Sequence, residues 1–215
     1  MTVLGTHAER CWKWSIVLDI DVVVKLGGGV LPHVEHFSTA LAVIAAAATA
    51  HRMLLIPGGG PFADAVRDLD RRIPLSDDAA HWMAILAMDQ YAHLIATRLQ
   101  GSMLVEGPLQ IAAAVQARRV PVLAPYRWVR GADPLPHSWD VTSDSIAAWI
   151  AGAVGAPLLV LVKPPGAERG QLVDGYFDRA LPDGVTAVTV AADRLDQLEA
   201  VLRESLRRDA DHRCD

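Results

Sequence analysis

Short runs of β-branched and aliphatic residues alternate along this chain with longer, alanine-rich stretches. The short runs predict strands at Ile16–Leu26, Met53–Ile56, Met103–Glu106, Val120–Ala124, Leu158–Lys163 and Val185–Val190. The longer stretches predict helices at His36–His51, Phe62–Leu69, Asp77–Gln100, Leu109–Ala117, Ser143–Val154 and Arg194–Arg208. Apolar and polar residues hardly alternate inside the strands, as expected of a parallel sheet covered on both faces. Strand following helix then implies right-handed crossovers and an α/β fold: a three-layer αβα sandwich around a mainly parallel central sheet. Ser76-Asp77-Asp78 supplies a cap and negative charge to the start of the long central helix. Pro125, Gly131, Pro134 and Pro136 predict a non-helical loop between Ala124 and Ser138, and a second long loop runs from Pro164 to Gly184.

Composition narrows the class. At 215 residues and 52% hydrophobic, the chain can bury a large core, and no repeat or low-complexity linker divides it. A single domain over 1–215 is expected, with frayed ends at 1–15 and 208–215. The formal charge of −5, with no cluster of basic residues interleaved with aromatics, argues against a nucleic-acid partner. Cys11 and Cys214 lie at opposite ends, without metal-ligand spacing, which suits a reducing compartment. The longest apolar stretch, Ile146 to Val162, is broken by Gly152, Gly155 and Pro157, so it reads as a helix and a buried strand rather than a membrane span. A cytoplasmic location without a membrane partner follows as an expectation. Trp82 to Leu94, rich in Ala and Met, faces either the core or a homo-oligomeric interface.

Chemistry concentrates at two glycine triplets, Gly27-Gly28-Gly29 and Gly58-Gly59-Gly60, each closing an apolar run. Such turns bring bare N–H groups against an anion with no Cβ in the way. Only Lys13, Lys25 and Lys163 among the 20 basic residues are lysines, and the last two end predicted strands. Lys25 sits just ahead of the first triplet, where its ammonium can bridge phosphate oxygens; an ordinary strand-end lysine is the alternative. No Gly-Lys-Ser/Thr follows at Walker spacing, and Pro32 stands where a dinucleotide fingerprint needs its last glycine. Asp140-Val141-Thr142-Ser143-Asp144-Ser145 leads into the helix starting at Ser143; its carboxylates either cap that helix, hold Mg²⁺ or orient lysine ammonium groups. Arg67, Arg71 and Arg72 follow the second triplet and either hold an acceptor phosphate or make a solvated face. Trp139 either stacks on a ring of the ligand or is structural. Asp77 and Asp78 either meet a substrate ammonium or cap, and His33, His36, His81 and His93 show no metal-ligand pattern.

Together these segments resemble the amino acid kinase superfamily. The resemblance rests on Lys25-Leu26-Gly27-Gly28-Gly29, Pro57-Gly58-Gly59-Gly60, Thr142-Ser143-Asp144-Ser145-Ile146-Ala147 and Val173-Asp174-Gly175-Tyr176, in the family's order over most of the chain. It implies an ATP-dependent kinase with Lys25, Asp144 and Lys163 as catalytic residues. Gly27, Gly28, Gly29, Gly58, Gly59, Gly60 and Arg67 would hold the transferring phosphoryl group and acceptor. Lys163, Asp174, Gly175 and Tyr176 would bind the nucleotide, and Mg²⁺ would enter on the ATP phosphates. A narrower resemblance, on Ser138 to Ile146 and Ala87-Met88-Asp89-Gln90-Tyr91, is to the small kinases of methanofuran-type cofactor synthesis and implies an aminomethyl-furanmethanol phosphate as acceptor. Isopentenyl phosphate, a nucleoside monophosphate or an amino-acid carboxylate are the same-fold alternatives, and a non-catalytic nucleotide- or oxoanion-binding protein is another. The family's Thr-Asp-Val-Asp-Gly run is interrupted here, with Lys163 ending the strand well before Asp174-Gly175; that spacing is a departure from the family pattern.

Overall fold

A computed structural model describes residues 18–168 and 173–203. The expected frayed ends and both cysteines lie outside these residues, as does the first part of the strand predicted from Ile16. Strands β1 (Val22–Leu26), β2 (Met53–Pro57), β3 (Ser102–Val105), β4 (Val120–Leu123), β5 (Leu158–Lys163) and β6 (Thr186–Ala191) form one sheet in the order β3-β4-β2-β1-β5-β6. Every pairing is parallel. Helices α1 (Val34–Ala47), α2 (Gly60–Arg72), α3 (Asp77–Arg98), α4 (Pro108–Gln116), α5 (Tyr126–Ala132), α6 (Ser143–Ala153) and α7 (Phe177–Ala180) connect them, with a further helical segment at 196–203.

The sheet separates two apolar cores, which is why its strands read as continuous hydrophobic runs. Val23, Leu54, Ile56, Leu123, Leu159 and Leu161 face one core, closed by Ile85, Ile111, Ile146 and Ile150. Val22, Val24, Leu55, Val122 and Val160 face the other, closed by Ile44, Tyr91, Ile95 and Leu198. Helix α3 supplies both cores, so Trp82, Ile85, Met88 and Tyr91 are core residues rather than an interface; Leu86, 41% exposed, is the outward one of that stretch.

Two expectations need correction. The stretch after Ala124 is not wholly a loop: α5 occupies Tyr126–Ala132. Pro125 stands at its N-cap, where a missing N–H costs nothing, and the backbone N–H of Tyr126 donates to Asp89 Oδ1 at 3.0 Å. Asp133, in the left-handed region at φ 45°, ends the helix just before Pro134. The second long loop likewise contains a short helix, α7.

Candidate active site

The register of the sheet brings the two strand-end lysines together. Lys25 of β1 pairs with Leu161 of β5, and Lys163 lies two residues further on, so strand periodicity sends both side chains to the same face. That face is covered by α6, whose first turn carries Asp144. Lys163 Nζ donates to Asp144 Oδ2 at 2.6 Å, and Lys25 Nζ lies 2.8 Å from Oδ1 as an ion pair without the alignment of a hydrogen bond. All three groups are buried. Burial by itself would raise the Asp144 carboxyl, but the two ammonium groups outweigh it and hold the carboxyl below its usual range. Burial, with Lys25 nearby, pushes the Lys163 ammonium down against the pull of Asp144. Two cations on one carboxylate leave a net positive charge in a region of reduced solvation, a strong attractor for an anion.

Beside this cluster the two glycine triplets interlock. A Cβ placed on Gly28 would stand 2.0 Å from the Gly60 nitrogen, and one on Gly58 would stand 2.4 Å from the Gly28 nitrogen. Backbone meets backbone there, and only glycine permits it. Gly27 and Gly58 extend the sheet ladder, donating to Val162 and Leu26 carbonyls at 2.8 Å. The amides of Gly28, Gly29, Gly59 and Gly60 have no hydrogen-bond acceptor among the described residues. The last two sit at the start of α2, where helix N–H groups are unpaired by construction. Four free amides and two lysines fit a phosphate chain. Among the described residues no three His, Cys, Asp or Glu side chains converge on a metal position, and Asp144 is engaged by two lysines.

The start of α6 is held from a distant part of the chain. Asp174 Oδ2 accepts the backbone N–H of Thr142 at 2.9 Å, its hydroxyl at 2.7 Å and the backbone N–H of Ser145 at 3.1 Å. Asp174 Oδ1 accepts the Ser145 hydroxyl and the Tyr176 backbone N–H. The structure thus gives the Asp174 carboxylate a positioning role: it caps the helix that carries Asp144. Tyr176 packs against the core on the α6 face, and Gly175 is exposed in the turn between them.

A cavity of about 260 Å³ opens beyond the glycine turns. Its walls include Arg67 of α2, His81, Ile85 and Met88 of α3, and Trp139 and Val141 of the segment entering α6. Arg67 lies over the Trp139 ring, 5.0 Å from its centroid, while its guanidinium pairs with Asp64 at 2.9 Å. The Trp139 indole donates to Asp70 Oδ2 at 2.8 Å. The Leu75 backbone N–H, and then this indole, lower the Asp70 carboxyl. Arg71 pairs instead with Asp68 at the surface, and Asp78 is engaged by Trp82 and His137, so of the three arginines it is Arg67 that faces the cavity. His33 and His93 are exposed and away from it. His81, which carried no assigned role in the sequence, is turned by α3 toward the glycine turns and lines the cavity.

The parallel sheet, the lysine pair and the paired glycine turns define a phosphoryl-transfer fold. The sequence model of the amino acid kinase family matches residues 22–164; the chain belongs to that family and is a phosphotransferase. Among characterised relatives, a [5-(aminomethyl)furan-3-yl]methyl phosphate kinase from Methanocaldococcus jannaschii is 25% identical over 179 residues, covering 83% of this chain and 78% of the relative. Among solved structures, a uridylate kinase from Archaeoglobus fulgidus superposes with a TM-score of 0.64 at 15% identity, over 86% of this chain and 96% of its own. A UMP kinase from Bacillus anthracis does so with a TM-score of 0.62 at 14% identity, over 85% and 91%.

Proposed function

We propose that this chain transfers the terminal phosphoryl group of Mg-ATP to a small phosphomonoester, [5-(aminomethyl)furan-3-yl]methyl phosphate, giving its diphosphate and ADP. The observation that carries the reading is the buried, net-cationic cluster of Lys25, Asp144 and Lys163 beside the four free glycine amides. An acceptor phosphate is already ionised at neutral pH, so its oxygen attacks the γ-phosphorus as the bond to the β-phosphate oxygen breaks, and no strong base is needed. Lys25 and Lys163 meet the charge on the transferring group, and Asp144 fixes where their ammonium groups stand. Gly28, Gly29, Gly59 and Gly60 amides orient the phosphates, with Arg67 toward the acceptor. A divalent cation bound with ATP would neutralise charge on its phosphates.

The size of the cavity supports a small acceptor. At about 260 Å³ it falls just under the usual range of small-ligand pockets, about 300–1,000 Å³. That favours a single ring over a nucleoside monophosphate, in keeping with the acceptor named for the archaeal relative. A cytosolic location is in keeping with ATP use, and the exposed Leu69, Ile73 and Leu86 offer apolar surface for a homo-oligomer.

The test is an acceptor screen with Mg-ATP that includes the furan phosphate, UMP, isopentenyl phosphate and acetylglutamate. Transfer to the furan phosphate is expected; transfer to UMP or to the carboxylate alone overturns the acceptor assignment. ATP binding with transfer to none makes the chain a nucleotide-binding protein instead. In the same assay Lys25→Ala lowers kcat by about 10²–10³-fold with folding intact; near-normal turnover removes Lys25 from the mechanism.

A further inference from the structure

His81 lies on the second turn of α3, 5% exposed, and lines the acceptor cavity. Among the described residues no hydrogen bond engages either ring nitrogen of His81, and neither nitrogen is sealed from solvent. The ring is fixed by packing alone. Its edge meets Trp82 at 4.8 Å between centroids, and its face stacks on His137 at 4.4 Å with planes 18° apart.

His137 bears on the state of its neighbour. Its Nδ1 is 2.9 Å from Asp78 Oδ1 and its Nε2 is 2.9 Å from Asp133 Oδ1. Burial, the larger effect, and His137 together push His81 down to about 4. At neutral pH His81 is therefore an uncharged imidazole with one N–H and one free lone pair at the cavity wall.

Around His81 the cavity carries several donors, together with the Asp64 carboxylate and the Ser143 hydroxyl. Glycine amides and Arg67 donate, Asp64 is paired to Arg67, and the Thr142 hydroxyl is given to Asp174. Ile85, Met88, Val141 and Ile146 supply apolar wall. A lone pair held among such groups suits an N–H or O–H of the ligand. We propose that His81 determines acceptor specificity by accepting a hydrogen bond from a donor group that the acceptor carries in addition to its phosphate. The inference rests on the phosphomonoester reading of the site and names what that phosphomonoester must also contain.

The experiment compares two probes with Mg-ATP: [5-(aminomethyl)furan-3-yl]methyl phosphate and its 5-methyl analogue, which lacks the donor. The wild-type chain should prefer the amine in kcat/KM. His81→Phe, which keeps a ring for the stack but no nitrogen, should cut that preference by about 10- to 100-fold, the loss falling mainly on KM for the amine. His81→Gln retains an acceptor oxygen and should recover part of it. Circular dichroism and a thermal midpoint establish folding, and His81→Met gives the same reading if the Phe variant does not fold. An unchanged preference in the Phe or Met variant overturns the role of His81 while leaving the kinase reading intact, as does an equal loss on both probes, which would make His81 a phosphate ligand. Turnover of neither probe by the wild-type chain overturns the furan acceptor and the His81 proposal with it.

Discussion

At the scale of single residues, environment decides what each ionisable group does. Lys25 and Lys163 are ordinary strand-end residues in the sequence, yet their shared carboxylate turns them into a fixed pair of charges. Asp89 shows the opposite case. It is half-buried, caps α5 through the Tyr126 N–H, and is raised to about 6, by burial first and by Glu106, against the pull of that N–H. A carboxyl whose folded value exceeds its unfolded one stabilises the fold below the unfolded value, near 3.8, and that contribution is lost as pH rises through about 6. Asp89→Asn keeps the cap oxygen without the charge. Its thermal midpoint should exceed the wild type's by about 2–4 °C at pH 7.5 and match it near pH 4. A difference that is constant with pH would mean that Asp89 does not titrate in this range. Sequence alone made Lys25 and Asp144 legible because a lysine before glycines and an aspartate opening a helix are local patterns. The cap made by Asp174 and the cavity position of His81 were not, since each depends on segments far apart in the chain.

At the scale of elements, glycine has opposite meanings in two places. In the turns after β1 and β2, backbone occupies the space a side chain would need: a methyl group on Gly28 collides with Gly60. In α5 the added Cβ at Gly131 would meet nothing within 4 Å. Gly28→Ala should therefore abolish phosphoryl transfer by prising the turns apart, whereas Gly131→Ala should stabilise the chain by about 0.5–1 kcal/mol through helix propensity. Activity assays and urea titrations read the two outcomes, and a Gly28→Ala enzyme of normal kcat would show that the turns do not need their contact. The triplets were visible in the sequence and their interlock was not, because no periodicity encodes loop-to-loop contact. Helix α5 was obscured by its prolines, which flank it rather than enter it: Pro125 precedes the first turn and Pro134 follows the last.

At the scale of the whole molecule, the alternation of apolar runs and alanine-rich stretches was enough to give a parallel three-layer fold. The strand order was not, since pairing across a sheet leaves no mark in hydrophobicity. That order puts β1 at the centre, with β2 on one side and β5 on the other, so the chain reverses direction across the sheet where the lysines meet. Crevices at such reversals are where open α/β sheets bind ligands. It also means that β1 lacks half of its partners until the last third of the chain has been made. A fragment ending at Thr142 should show no cooperative unfolding in urea, and the complete chain a single transition. A stable folded fragment would divide the protein where the sheet does not.

The interlocked turns carry a last consequence, for how such an enzyme can acquire a new substrate. Each loop is the mould of the other, so neither can be lengthened or given a side chain without remaking its counterpart in the same step. The phosphate-holding apparatus is thereby frozen as a unit. The opposite wall, built from α2, α3 and the segment entering α6, carries no such mutual constraint. Retooling toward a different acceptor can proceed there one residue at a time, with the phosphoryl-transfer apparatus left untouched.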